Sequence, residues 1–449
     1  MAGTEFGKTS LVLKRRHIAA VTLGNALEFY DFLTYSFFAI QIGNAFFPSR
    51  NGYLSLMLSL ATFFAGFATR PVGAVVIGMY ADRAGRRPAM LLSFMLMGMS
   101  IFAMASIPSF AVIGIAAPIL AVLARMVQGF SLGGEIGSNT AFLLEAVAPE
   151  RRGFGVSWQV ASQSMALLCG SLIGLLLTDL LPGPALEAYG WRIAFLLGAL
   201  TVPFGLWLRT SLPETLHAHE HPTPGSHLPP THTSSGRLDL ALRNWRLMML
   251  AVIVLGAGTI GNYIAIYTVT YAQDTLHFSA HTGFIAETCS TIVQIPSVLL
   301  GGWLSDRFGR RPVNICNAVV LLALILPVFY WIVSTRSPDA LIVGTSLLGL
   351  SLNFALGSFL AALAEALPKT IRVSGLGTVY SLAIGIFGGS TQLVVKWLIH
   401  ITGSAMAPAW YWTAAVALGV VALILIPESA PRHVRALPHG VAALASQSS

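Results

Sequence analysis

Charge is what this chain has least of. Only 10% of its 449 residues are Asp, Glu, Lys or Arg, where a soluble domain carries about 25%. A surface facing water on all sides cannot be built from so little, which excludes a soluble enzyme or a soluble binding module. Cysteine is scarcer still. Cys169, Cys289 and Cys316 are odd in number and lack CxxC spacing, so neither a disulfide framework nor a metal knuckle follows. All three lie in apolar runs, where packing accounts for them. HExxH is missing, and with it the sequence sign of a metallohydrolase. No cofactor is implied, and nothing resembles a signalling module.

Long apolar runs are what the chain has in plenty. It is 55% hydrophobic, with a mean hydropathy of +0.73. A bilayer-crossing helix needs about 20 such residues. The sequence predicts twelve spans, near 18–47, 53–80, 88–107, 111–142, 153–181, 191–210, 246–273, 281–304, 312–334, 338–366, 373–402 and 408–427. The expected fold is therefore an all-α polytopic membrane protein with twelve transmembrane helices.

The net charge of +8 is distributed by side, not gathered into a patch for nucleic acid. With the N-terminus in the cytoplasm, the tails and cytoplasmic loops carry 20 Lys and Arg, and the opposite side carries three, Arg50, Arg192 and Arg336. Arg70, Arg125 and Lys396 fall within spans. This asymmetry predicts a multi-pass protein of the plasma membrane with both termini cytoplasmic. Its expected partners are lipid and a small solute, with no nucleic acid.

The chain repeats itself. GMYADRAGRRP (78–88) returns as GGWLSDRFGRRP (301–312), with Asp82 and Asp306 224 residues apart. LLEAVAPERRG (143–153) is echoed by LAEALPKTIRVSG (363–375), with Glu145 and Glu365 220 apart, and LPET (212–215) by IPES (426–429), 214 apart. Three ordered pairs at nearly one offset divide the chain into two pseudo-symmetric six-helix halves. The predicted organisation is a tail 1–17, a first half 18–215, a linker 216–240, a second half 241–429 and a tail 430–449. The linker holds HAHEH (217–221), His227 and His232 among Pro, Ser and Thr. It reads as a solvated segment, and no metal site is expected there. Two such halves around a midplane cavity are the layout of an alternating-access carrier.

The GxxxDRxGRRP element joins two spans by a short turn. Its glycines allow a tight reversal, and its arginines lie at headgroup level. Its Asp can pair with one of them or accept from a helix N-terminus. The element resembles the signature loop of the major facilitator superfamily, and that likeness covers the chain from about 18 to 427. In that family the loop latches one side of the carrier, which implies gating roles for Asp82, Arg83, Arg86, Asp306, Arg307 and Arg310, with Glu145 and Glu365 pairing the loop arginines. RMVQGFSLGGE (125–135) resembles the family's Arg-x-x-Gln-Gly motif, carried here by Arg125 and Gln128. Together with GNALEFYDF (24–32), RPVGA (70–74) and APERRGFGVSWQ (148–159), it is similar to the metabolite:proton symporters. SWQVASQ (157–163), RNWRLM (243–248) and IFGGSTQ (386–392) incline it to the citrate/tricarballylate branch. The resemblance implies import of a small organic anion with protons. A zwitterionic osmolyte such as betaine or proline, or another metabolite such as shikimate or 2-oxoglutarate, is the alternative.

Polar residues inside the spans carry the candidate chemistry. One charge at the centre of a bilayer helix costs about 2.5–3.5 kcal/mol on insertion scales, yet the first span holds Glu28 and Asp31. Asn25 and Glu28 lie one turn apart, as do Asp31 and Tyr35. Asp31 falls about 20 Å along the span, near the midplane. Arg125 is about as deep in the fourth span, and Arg70 about ten residues from the end of the second. A buried carboxyl beside a guanidinium that moves can take up and release a proton, so Asp31 and Glu28 are the expected coupling residues. Arg70 and Arg125 are expected to hold substrate with Asn25, Tyr35 and Gln128. Gln159, Gln163, Asn262, Tyr263 and Asn353 either bond substrate or tie helices together. Lys396 and His400 are one turn apart near the outer end of the eleventh span, where Lys396 is expected to snorkel to the interface.

Overall fold

The structure is a computed structural model, which describes residues 26, 29–30, 33–84, 86–134, 140, 143–144, 147–210, 243–368 and 372–430. The predicted N-terminal tail, the linker and the tail from 431 onward lie outside the described residues. Among those described there is no strand. Twelve of the described helices correspond to the predicted spans: α1 (Ala39–Phe46), α2 (Gly52–Tyr80), α3 (Pro88–Ser106), α4 (Ala116–Ser131), α5 (Pro149–Leu180), α6 (Trp191–Thr210), α7 (Trp245–Ile266), α8 (Ala280–Phe308), α9 (Arg310–Thr335), α10 (Pro338–Ala366), α11 (Ser374–Thr402) and α12 (Ala407–Leu425). Nine of the described helices are long and apolar enough to cross a membrane unaided. The fold is all-α and polytopic, as expected, with α1–α6 in one half and α7–α12 in the other.

Polar caps start the helices where the apolar runs begin. Asn51 Oδ1 accepts from the Tyr53 amide at 3.0 Å, Ser279 Oγ from Thr282 at 3.2 Å, and Ser337 Oγ from Ala340 at 3.0 Å ahead of Pro338. Each satisfies an amide that the first turn leaves without a partner. The outer surface is set by helical periodicity. On α3, Met95, Met99 and Phe102 are each more than half exposed, and on α12 so are Leu418, Val421 and Leu425. Such stripes would be a liability in water. Here hydrocarbon is the solvent.

Three breaks depart from simple spans. The predicted seventh span 246–273 is divided into α7 and a short helix, Thr268–Asp274, with Tyr267 between them. α10 is interrupted by a turn at 353–355, and α11 contains a π-helical turn, Ile384–Gly388. Only irregular backbone that is buried in protein or lines a cavity survives at membrane depth. Two of the three breaks do line the central cavity. The halves meet chiefly through α5 against α8.

Candidate functional site

A small cavity lies between the halves. Gln163 of α5 faces it from the first half, and Thr259, Asn262, Tyr263, Asn353 and Tyr380 from the second. Asn353 sits in the α10 break. Its amide donates to Gln294 Oε1 at 3.0 Å and, more weakly, to Asn262 Oδ1 at 3.4 Å. Among the described residues, this wall therefore carries amide and phenol groups and no formal charge. Four of the residues singled out from sequence, Gln163, Asn262, Tyr263 and Asn353, are brought together here.

The cations stand one layer behind. Gly66 and Gly129 bring α2 and α4 into backbone contact, since a Cβ on Gly129 would overlap the Gly66 carbonyl. That approach sets Arg125 beside α2. It is 1% exposed, donates to the Gln128 side-chain carbonyl, and lies 4.5 Å over the Tyr35 ring and 5.1 Å over Phe63. Arg70, also buried, lies 4.4 Å over Phe67. Tyr263 of the second half packs edge-on against both Phe63, at 6.1 Å, and Phe67, at 5.4 Å. The two guanidinium groups are thus covered by aromatic faces, which attract cations. An aromatic layer separates them from the cavity, and neither Arg70, Arg125 nor Gln128 borders it. Tyr35 is buried with its hydroxyl donating to the Ser59 carbonyl at 3.0 Å. Gln159 accepts from Thr140 at 2.8 Å. Asn25, Glu28, Asp31 and Glu145 lie outside the described residues.

Contacts among the described residues close the cavity at both ends. At one end Asp306 reaches across from α8 to the start of α5, and its two oxygens accept from the amides of Gly153 and Phe154, each at 2.8 Å. An anion at a helix N-terminus is favoured by unpaired amides and dipole together. Arg310 holds that carboxylate at 2.6 Å and grips Glu365 through Nε and Nη2, both at 3.2 Å. Glu428 caps α9 by accepting from the amides of Arg310, at 3.0 Å, and Arg311, at 2.9 Å. Gly309 between them has φ +100°, which L side chains rarely adopt. Arg307 lies 5.8 Å over Trp303. Of the corresponding first-half loop, Arg83 is exposed, and the side chains of Asp82 and Arg86 are outside the described residues.

At the other end Gln392 donates to Ser36 Oγ at 2.5 Å. Gln41 lies 3.4 Å from Gln273, and Tyr53 stacks on His400 at 3.9 Å between centroids. Lys396 requires a correction. It is 8% exposed and bound to Asp274 at 2.5 Å, so it pairs inside the protein and does not snorkel. The pairing was hidden because Asp274 belongs to the extra helix after the α7 break. Sequence reasoning also passed over Glu287 on α8, which is 1% exposed. A lone acid in an apolar span was the available signal. The role of Glu428 was likewise missed, although the LPET/IPES repeat marked its position.

With this geometry in view, the comparisons with known proteins have a clear shape. A profile of the Major Facilitator Superfamily matches residues 21–293 and 285–446. A citrate-proton symporter of Salmonella typhi is 37% identical over 414 residues, 91% of this chain and 93% of that one. A proline/betaine transporter of Salmonella typhimurium is 30% identical over 423 residues, 93% and 84% of the two chains. The crystal structure of a D-xylose-proton symporter superposes with a TM-score of 0.74 at 16% identity, covering 93% of this chain and 98% of that one.

Proposed function

Because the chain belongs to the major facilitator superfamily, we propose that it is a secondary carrier that imports a small organic anion, citrate or a related di- or tricarboxylate, together with protons. Two buried guanidinium groups beside a closed cavity between the halves carry this reading. A carboxylate leaving water for such a site needs positive partners, since an unpaired buried charge is prohibitively costly. Arg125 and Arg70 supply them once the aromatic layer parts. Because Tyr263 belongs to the second half, rocking the halves separates its ring from Phe63 and Phe67 and opens a way to the cations. Asn262, Asn353 and Gln163 then bond the substrate's remaining oxygens. Asp31 and Glu28 take up the protons, which cancels their repulsion of the anion. The Asp306 end faces the cytoplasm, with both termini, and the membrane is the bacterial inner membrane. The name and 37% identity of the citrate relative support the substrate class.

One observation favours a second reading. The cavity wall itself is neutral and aromatic, which suits the quaternary ammonium of betaine, and a proline/betaine carrier is among the relatives. Uptake into proteoliposomes with an imposed pH gradient separates the two. Citrate or a related carboxylate is expected to accumulate and betaine not to compete. Arg125→Lys, which keeps the charge but loses the planar fork, is expected to lose most uptake, and Asp31→Asn to abolish accumulation while exchange persists. Competition by betaine and by no carboxylate would overturn the anion reading.

A further inference from the structure

Glu287 is buried in the second half with nothing bound to either carboxyl oxygen among the described residues. It lies seven residues into α8, about 10 Å from the helix start at 1.5 Å per residue. Its neighbours on that face make the seam at the His400 end. One turn earlier, Phe284 packs against Phe37 and Phe38 of the first half, with ring centroids 6.0 and 5.6 Å apart. The next residue, Thr288, donates to Ser171 of α5 at 3.0 Å. One turn later, the Thr291 hydroxyl donates to the Glu287 main-chain carbonyl at 2.8 Å. The Phe284 and Thr288 contacts cross between the halves, so this stretch of α8 is covered from the first half only while this end is closed.

Among the described residues, no charged group of the packed elements pairs with it. On α5, Asp179 pairs with His281 of α8 at 3.2 Å, and Arg152 lies at the opposite end of that helix. Asp274 is taken by Lys396. Glu365 of α10 and Asp306 of α8 are held by Arg310 of α9. Asp339 and Arg336 are exposed at helix ends. The Tyr271 hydroxyl donates to the Ala405 carbonyl at 2.7 Å. A carboxylate with no counter-charge and only the Thr291 hydroxyl beside it is not sustained in such surroundings, and the group is neutral there.

We propose that Glu287 is a proton-binding site of the outer seam, so that closing the His400 end requires a proton taken from the external medium. When the seam parts, water reaches the carboxyl, the O–H bond breaks, and the proton passes to that water. Before the seam closes, a hydronium ion returns a proton to the carboxylate. Glu287 is thereby separate from the coupling pair expected in the first span, and it makes the outward-open form the one favoured by alkaline external pH. The inference rests on the carrier reading for its direction only.

The test uses full-length protein in proteoliposomes without substrate, with its three native cysteines replaced and Thr270→Cys placed in the seam. Thr270 is 1% exposed and lies against the Ser36 carbonyl of the first half. Labelling by an impermeant maleimide is expected to rise with external pH more steeply than in the same protein carrying Glu287→Gln. The excess approaches about tenfold per pH unit, the limit for one linked proton. Comparison of the two removes the thiol's own response. Glu287→Asp is expected to restore the steepness. Infrared spectra of the closed form should also lose one carboxylic-acid carbonyl band in Glu287→Gln. Equal slopes in both proteins, or an unchanged carbonyl band, would overturn the proposal. Failure of wild-type protein to accumulate any carboxylate would overturn the carrier reading and leave this measurement intact.

Discussion

The two ends of the cavity are shut by different chemistry. At the Asp306 end a carboxylate from one half caps a helix of the other and is itself held by a buried arginine that also binds Glu365. At the His400 end amides, hydroxyls and stacked rings meet across the halves, and the ionisable pair there, Asp179 with His281, lies exposed to water. Charge-assisted bonds in a dry site are roughly twice as strong as neutral ones. The two gates of this carrier are therefore not equivalent, although a sequence repeat built both halves.

Removing the charge should break the comparison most. Asp306→Asn leaves Arg310 with Glu365 alone and weakens the cap on α5. Breaking a buried pair costs about 3–5 kcal/mol, so opening at that end is expected to rise on the order of a hundredfold or more. Faster thiol labelling of Ser157→Cys, a buried position at the α5–α8 crossing, measures it. Unchanged labelling would return the latch to the arginines alone. Glu428→Ala removes the cap of α9 but no contact between halves. It is expected to cost about 1–2 kcal/mol, read as a lower unfolding temperature with the same facing preference.

The His400 end should yield smaller effects. Gln392→Leu deletes one amide bond to Ser36, worth about 0.5–1.5 kcal/mol. Labelling of Thr270→Cys is expected to rise only a few-fold. Tyr53→Leu removes the stack on His400, worth about 0.5–1.5 kcal/mol beyond area and less at this half-exposed site. It should change labelling least. A larger response to Gln392→Leu than to Asp306→Asn would invert the contrast between the ends.

The sequence made the Asp306 end legible because a turn motif repeated at fixed offset names both the carboxylate and its arginines. It did not say which arginine. Arg310, four residues after Asp306, reaches back to it across the reversal at Gly309, whereas Arg307, one residue on, lies over Trp303. The twelve spans were readable from apolar length alone. The break at Tyr267 was not, since no Pro or Gly marks it, and with it went the Lys396–Asp274 pair. Four polar residues of the cavity wall, Gln163, Asn262, Tyr263 and Asn353, were foreseen from their place inside the spans. The aromatic layer over Arg70 and Arg125 was not, because Phe63 and Phe67 read as ordinary membrane-facing apolar residues until α2 is rotated against α4.

The α5 cap has one consequence beyond closure. Its partners are main-chain amides at Gly153 and Phe154, and a Cβ on Gly153 would overlap Arg310. When that end opens, a carboxylate, an arginine and a bare helix terminus all meet water and its dissolved ions, which stabilise separated charges. At the other end the Asp179–His281 pair is exposed already, so opening there bares less new charge. Raising salt on the Asp306 side therefore tips the empty carrier toward that side more than the same salt opposite does. The resting orientation of the protein follows the ionic strength of the Asp306 side most closely.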